Sequence, residues 1–220
     1  MILETIQRFF ELGGCLVCGQ LQISDKGVCA TCSEALFETP RDLFHSEFEA
    51  FIADSLYEWI PGYSDEFSNW IMSLKRAPAR KWTALAEEFS ARKLSESHVV
   101  NLERCLVPCP AGAPSRQHAQ RWAEALSRVG CGPVRNLLEF DKGDLHRARL
   151  DQKKLNRQDR RLISMKRIEN ITMPSPGCAY IFVDDIVTTG STALSAWKAL
   201  GKPQNFQVWC VATRPRLRSH

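Results

Sequence analysis

Two carboxylates and four hydroxyls lie within nine consecutive residues, Asp184-Asp185 and then, after Ile186-Val187, Thr188-Thr189-Gly190-Ser191-Thr192. The apolar run Tyr180-Ile181-Phe182-Val183 reads as a buried strand with the two acids at its end, and the residues after Gly190 read as the start of a helix. A strand that passes into a helix N-terminus through small residues turns several backbone N–H groups toward one point, where the helix dipole adds positive potential. Thr188, Thr189, Ser191 and Thr192 bring hydroxyl donors to that point, and Gly190 permits a positive φ or a close approach of the backbone to an anion. Asp184 and Asp185 beside such a cradle can accept hydrogen bonds from a sugar diol. The combination suits a sugar phosphate.

A second group of reactive side chains stands near the N-terminus. Cys15-x-x-Cys18 and Cys29-x-x-Cys32, with ten residues between the pairs, have the spacing of a tetrahedral zinc–thiolate site, with an iron–sulfur cluster as the other metal the spacing allows. Four sulfurs close the shell, so the metal is expected to be structural. The chain has nine cysteines, an odd number, and the other five are scattered. That usage fits a metal and reduced thiols, hence the cytoplasm, better than a disulfide framework.

The elements that must position these groups follow from periodicity. Residues 1–40 form the expected zinc module, too small to bury a core without a metal, with Ile2, Leu3, Ile6, Phe9 and Phe10 on one face of a short packed helix. Residues 41–220 form the main unit, 41–98 as hood and helices and 99–220 as core. Phe44, Phe48, Phe51 and Ile52 stand at near-helical spacing, followed by a short strand around Leu56 to Ile60. Phe67, Trp70, Ile71 and Leu74 mark an amphipathic helix ending at Lys75-Arg76, and a second helix runs from about Arg80 to Leu94. Beyond it the chain alternates: strand Cys105 to Val107, helix Gln117 to Arg128, strand Val134 to Phe140, a basic segment, strand Tyr180 to Val183, helix Ser191 to Leu200, strand Phe206 to Val211. Such alternation predicts an α/β fold with a mostly parallel sheet covered on both faces and ligands at the carboxyl ends of its strands.

The string from Tyr180 to Thr192 resembles the phosphoribosyl-pyrophosphate (PRPP) motif of type I phosphoribosyltransferases: four apolar residues, two acidic, two variable, then Thr-Thr-Gly-Ser-Thr. With the cysteine pairs, the helix end Leu74-Lys75, the loop Val107-Pro108-Cys109-Pro110 and the segment Gln152 to Arg160, nearly the whole chain resembles the ComF family, zinc-bearing phosphoribosyltransferase-like proteins associated with competence for DNA uptake. The resemblance implies a type I phosphoribosyltransferase fold that binds PRPP with magnesium and passes the phosphoribosyl group to a nitrogen acceptor the sequence does not identify. It implies further that Asp184 and Asp185 hold the ribose hydroxyls and serve catalysis, that Thr188 to Thr192 hold the 5′-phosphate, and that the loop from Pro108 through Cys109 to Arg116 faces the pyrophosphate. Lys75, with Arg76 beside it at a helix end, can reach a phosphate or serve as a cation at the helix C-terminus. The chain departs from the family at Cys109, where a proline is usual, and at Arg116-Gln117-His118-Ala119-Gln120, where an Arg-Gly-Phe-Asn-Gln-like stretch is usual. A non-catalytic PRPP-responsive protein contacting DNA or the uptake machinery is the alternative.

The rest bounds these readings. A net charge of +4 is far from the dense basic field of a dedicated nucleic-acid binder, and no apolar run is long enough to span a membrane. Lys154 and Arg160, in the basic stretch Gln152 to Arg161, are read as a flap over the ligand mouth, with a solvated face as the alternative. His118 reads as a surface or partly packed side chain. The six tryptophans are spread along the sequence and read as core or hood aromatics instead of a base-stacking platform.

Overall fold

A computed structural model describes residues 15, 29–32, 43–48, 50–59, 65–95, 103–112, 117–141 and 164–214. Cys18, Arg116, the helix expected within residues 1–14 and the segment Gln152 to Arg161 lie outside them. Five strands make the main sheet in the order β1-β2-β7-β6-β3: β1 Phe44–Phe48, β2 Phe51–Glu58, β3 Arg104–Pro108, β6 Ala179–Val187 and β7 Phe206–Thr213. β1 runs antiparallel to β2, and the other three pairings are parallel. The fold is therefore α/β around a mostly parallel mixed sheet. β4 (Leu138–Phe140) and β5 (Met165–Arg167) form a separate antiparallel pair.

Alternation along the strands sends side chains to two cores. Leu106 of β3, Ile181 and Val183 of β6, and Trp209 and Val211 of β7 enter one; Cys105, Val107, Phe182, Val208 and Cys210 enter the other. The first core is closed by helices α1 (Asp65–Leu74), α2 (Ala79–Ser95) and α3 (His118–Arg128). The residues that signalled α1, Phe67, Trp70, Ile71 and Leu74, are all buried there. Phe89 of α2 packs with Trp122 of α3 at a centroid distance of 5.8 Å and with Trp209 at 5.2 Å, which ties the helices to the sheet. Trp70, Trp82, Trp122 and Trp209 are fully buried, as core aromatics. Burial of large side chains of this kind stabilises by about 2 to 3 kcal/mol each. The second core lies under α4 (Ser191–Ala199), which buries Ala193 and Ala196, and beside β4 and β5.

Three expectations are corrected. Residues 44–58 form the hairpin of β1 and β2, where the sequence suggested helical spacing and a strand only from Leu56. In β1, half-buried Phe44, Ser46 and Phe48 alternate with exposed His45 and Glu47. The period is two, and the helical spacing of the phenylalanines is incidental. The strand expected over Val134 to Phe140 is two pieces, a bridge from Val134 to Leu106 and then β4. β6 does not end before the acids: it continues through Asp184 and Asp185 to Val187, with Asp184 opposite Cys210 and Val187 opposite Thr213. None of the helices among the described residues is long and apolar enough to cross a membrane.

Candidate functional site

The end of β3 lies against the middle of β6, since Pro108 is in register with Val183 and the Cys109 N–H donates to the Val183 carbonyl at 2.8 Å. That contact sets Cys109 beside Asp184, the next residue along β6. Both acids are half-buried. The Asp184 carboxylate accepts the Asp185 N–H at 2.9 Å, and the Asp185 carboxylate accepts the Ile186 N–H at 3.0 Å. Lys75, one residue past the end of α1, places its ammonium 2.8 Å from Oδ2 of Asp185. The Lys75 carbonyl accepts a 3.3 Å hydrogen bond from Arg121, which links the residue after α1 to the first turn of α3.

These neighbours split two acids of one type. Burial, reinforced by the charge of Asp185, pushes the Asp184 carboxyl well above the usual carboxylate range. Burial pushes Asp185 upward as well, but the charge and hydrogen bond of Lys75 outweigh it and leave that carboxyl below its ordinary value. The two carboxyls are thus pushed in opposite directions, Asp184 toward holding a proton and Asp185 toward staying ionised. Burial, and then the two acids, push the Cys109 thiol well above its ordinary value, so it stays protonated and is a poor nucleophile. Cys210, opposite Asp184 on β7, is raised in the same way, by burial first.

His118, read from the sequence as a surface or partly packed side chain, is partly packed, and what the sequence did not show is that it faces the acid pair. It opens α3 and is half-buried with its Nδ1 enclosed, and its electrostatic neighbours are Asp185, Lys75 and Arg121. Burial holds the imidazole below its usual value, hence neutral near pH 7. Its place at the first position of an amphipathic helix was visible, but nothing local marks the acid it faces, 67 residues further along the sequence.

Beyond β6 the chain turns through Thr188, Thr189 and Gly190 into α4. Gly190 adopts φ 73°, a left-handed conformation, and a Cβ there would lie 2.5 Å from Cδ1 of Phe48 and 3.1 Å from Cζ of Phe51. Glycine is required by the turn and by the aromatic wall of the β1–β2 hairpin, which is the positive-φ reason expected from the sequence; the close approach is to phenylalanine rings. Gly190, the N-cap of α4, has no side chain with which to cap it. The Thr189 and Ser191 hydroxyls are 3.0 Å apart, and the Ser191 N–H reaches Thr189 Oγ1 at 3.4 Å. Asp184 and the residues from Ile186 to Ala193 line one small concavity, so β6 and its turn share a mouth.

At the other candidate centre, Cys15, Cys29 and Cys32 hold their sulfurs within 4.8 Å of one another. An edge of a zinc–sulfur tetrahedron is about 3.8 Å, so the trio can hold a metal ion. The Cys29 N–H donates to the Cys15 sulfur and the Cys32 N–H to the Cys29 sulfur, each at 3.3 Å. Cys15 and Cys29 are buried in the same core as α1, α2 and α3. The cysteines are the one such group of three or more metal-ligating side chains among the described residues.

The structure thus brings Lys75, Cys109, His118, Asp184 and Asp185 together, one strand end from the turn at Thr188 to Thr192. In comparisons with protein-family models and with curated proteins, nothing matches the chain.

Proposed function

We propose that this chain is a ComF-like protein of the type I phosphoribosyltransferase kind that binds PRPP with magnesium at the β6–α4 junction and displaces pyrophosphate by a nitrogen nucleophile. The observation that carries this reading is that Asp184 and the hydroxyl-bearing turn into α4, Ile186 to Ala193, line one concavity, with Asp185 the next residue along β6 from Asp184. The turn from Thr188 to Thr192 would take the 5′-phosphate through N–H and hydroxyl donors. Asp184 and Asp185 would hold the ribose diol by accepting its hydroxyl hydrogen bonds.

In the reaction the anomeric C–O bond to pyrophosphate breaks and a C–N bond to the acceptor forms, through an oxocarbenium-like centre stabilised by fixed charge. Pyrophosphate leaves with the bonding electrons, and the acceptor nitrogen gives up its proton. Magnesium, brought by the ligand, supplies charge neutralisation on the pyrophosphate. The cysteine site is read as structural zinc, with Cys18 as the fourth ligand. The acceptor, and any contact with DNA or uptake machinery, belong to the family resemblance.

Calorimetric titration with PRPP and magnesium tests the reading. Wild type is expected to bind better than millimolar, and Asp185→Asn to lose about tenfold or more, the cost of a charge-assisted hydrogen bond of about 1.5 to 3 kcal/mol. Absent wild-type binding, or equal binding by both proteins, would overturn it. Pyrophosphate release with a panel of bases and amines then separates an enzyme from a PRPP-responsive binder.

A further inference from the structure

The ammonium of Lys75 stands on the carboxylate oxygen that a bound diol would use. Its Nζ is 2.8 Å from Oδ2 of Asp185, and both side chains are largely buried, 24% and 14% exposed. The Lys75 carbonyl is anchored to α3 through Arg121, which leaves the flexible four-carbon stem as the part free to move. His118, the other basic group at the pair, is kept neutral by burial, so it offers no replacement cation.

We propose that Lys75 is the specificity-determining residue of this site: in the free protein it occupies Asp185, and ligand binding exchanges the pair, the sugar hydroxyls taking Asp185 and the ammonium turning to a second anionic group on the ligand. The inference rests on the PRPP reading and deepens it. A diol arriving at Asp185 strands a partly buried ammonium unless the ligand itself carries a new partner for it. Ribose 5-phosphate places its only anion in the turn at Thr188 to Thr192 and has nothing for Lys75. PRPP carries a pyrophosphate on the opposite side of the ring and completes the exchange. The ion pair therefore selects sugars bearing anions at both ends and penalises those with one.

Titrations of PRPP and of ribose 5-phosphate, each with magnesium, into wild type, Lys75→Met and Lys75→Arg test this. Wild type is expected to prefer PRPP by about tenfold or more, the size of one charge-assisted contact. In Lys75→Met, PRPP should weaken by a similar factor while ribose 5-phosphate binds as well as before or more tightly, so the preference collapses; Lys75→Arg should keep it. Far-ultraviolet circular dichroism checks that each variant is folded, and Lys75→Gln carries the comparison if the methionine variant is not. A preference unchanged in Lys75→Met, or both ligands weakened by the same factor, overturns the exchange while leaving the PRPP reading standing. No preference in a wild type that binds both ligands overturns it too. Wild type that fails to bind PRPP overturns the functional reading, and the exchange with it.

Discussion

The turn at Thr188 to Thr192 and the carboxylate pair just before it are neighbours on one strand, yet they are held by different forces. The turn is fixed by backbone and packing: Gly190 is left-handed, and its bare Cα faces two phenylalanine rings of the β1–β2 hairpin. The pair is fixed by charge, Asp185 against a lysine from the end of α1 and Asp184 against Asp185. Packing of the first kind has one arrangement, whereas an ion pair held by a flexible lysine stem can trade partners. A rigid half suits a group that every ligand shares, and an exchangeable half suits discrimination.

Substitution at the turn breaks the rigid half most severely. Gly190→Val forces a β-branched residue to positive φ and drives its side chain into Phe48, and is expected to destabilise the fold by about 3 to 5 kcal/mol, read from chemical denaturation. Adding Phe48→Ala should relieve the clash but not the backbone strain, and so recover only part of the loss. A freely tolerated valine would show that the turn is not held by packing. Next in size is the support beneath Lys75. Cys29→Ser should abolish bound zinc in elemental analysis and cost about 3 kcal/mol, because the cysteines lie in the core that carries α1. Its effect should fall on Asp185 and α1 and spare α4. Finding iron, or no metal in wild type, would remove this link.

The smallest effect is a trend with pH. The folded-state value of Asp184 stands above its unfolded one, so the folded chain holds the extra proton, and stability falls as pH rises from the ordinary carboxylate value toward the raised one. Asp185 runs the other way, its contribution complete above the ordinary value and lost as pH falls through the depressed one. Asp184→Asn should therefore gain on wild type in thermal unfolding as pH rises from 4 to 8, with the ordinary value near 4 as the lower edge of the window. A difference that does not change with pH would show that the two acids do not divide one charge.

The rigid half was legible in the sequence because its signals are local: an apolar run, two acids and a Thr-Thr-Gly-Ser-Thr turn in one stretch. Even there the strand was read too short, since acids ordinarily end strands and here they continue one. The exchangeable half was only partly legible. Lys75 and Asp185 are 110 residues apart, and nothing in either neighbourhood encodes their meeting, which follows from α1 and β3 converging on β6. The β1–β2 hairpin was missed because four apolar residues also satisfy helical spacing. Nor does the sequence announce buried Asp54 in β2, paired with His45 at 2.7 Å and Lys93 at 3.0 Å, because a strand of apolar type gives no reason to expect a paired acid inside it. β5 is three residues, two of them basic, too short for any period to show.

The strand order carries a consequence for how the chain is made. β7 and β6 lie between β2 and β3, although they are the last strands in sequence. During synthesis from the N-terminus, β2 and β3 emerge with no parallel partner, each presenting an open edge of unpaired backbone groups. β6 can join β3 once residues 179–187 have left the ribosome, but the main sheet cannot close until residues 206–213 follow and β7 joins β2 to β6. A nascent chain stopped before that point keeps the edges of β2 and β6 open, and this is the interval in which the protein most needs a chaperone.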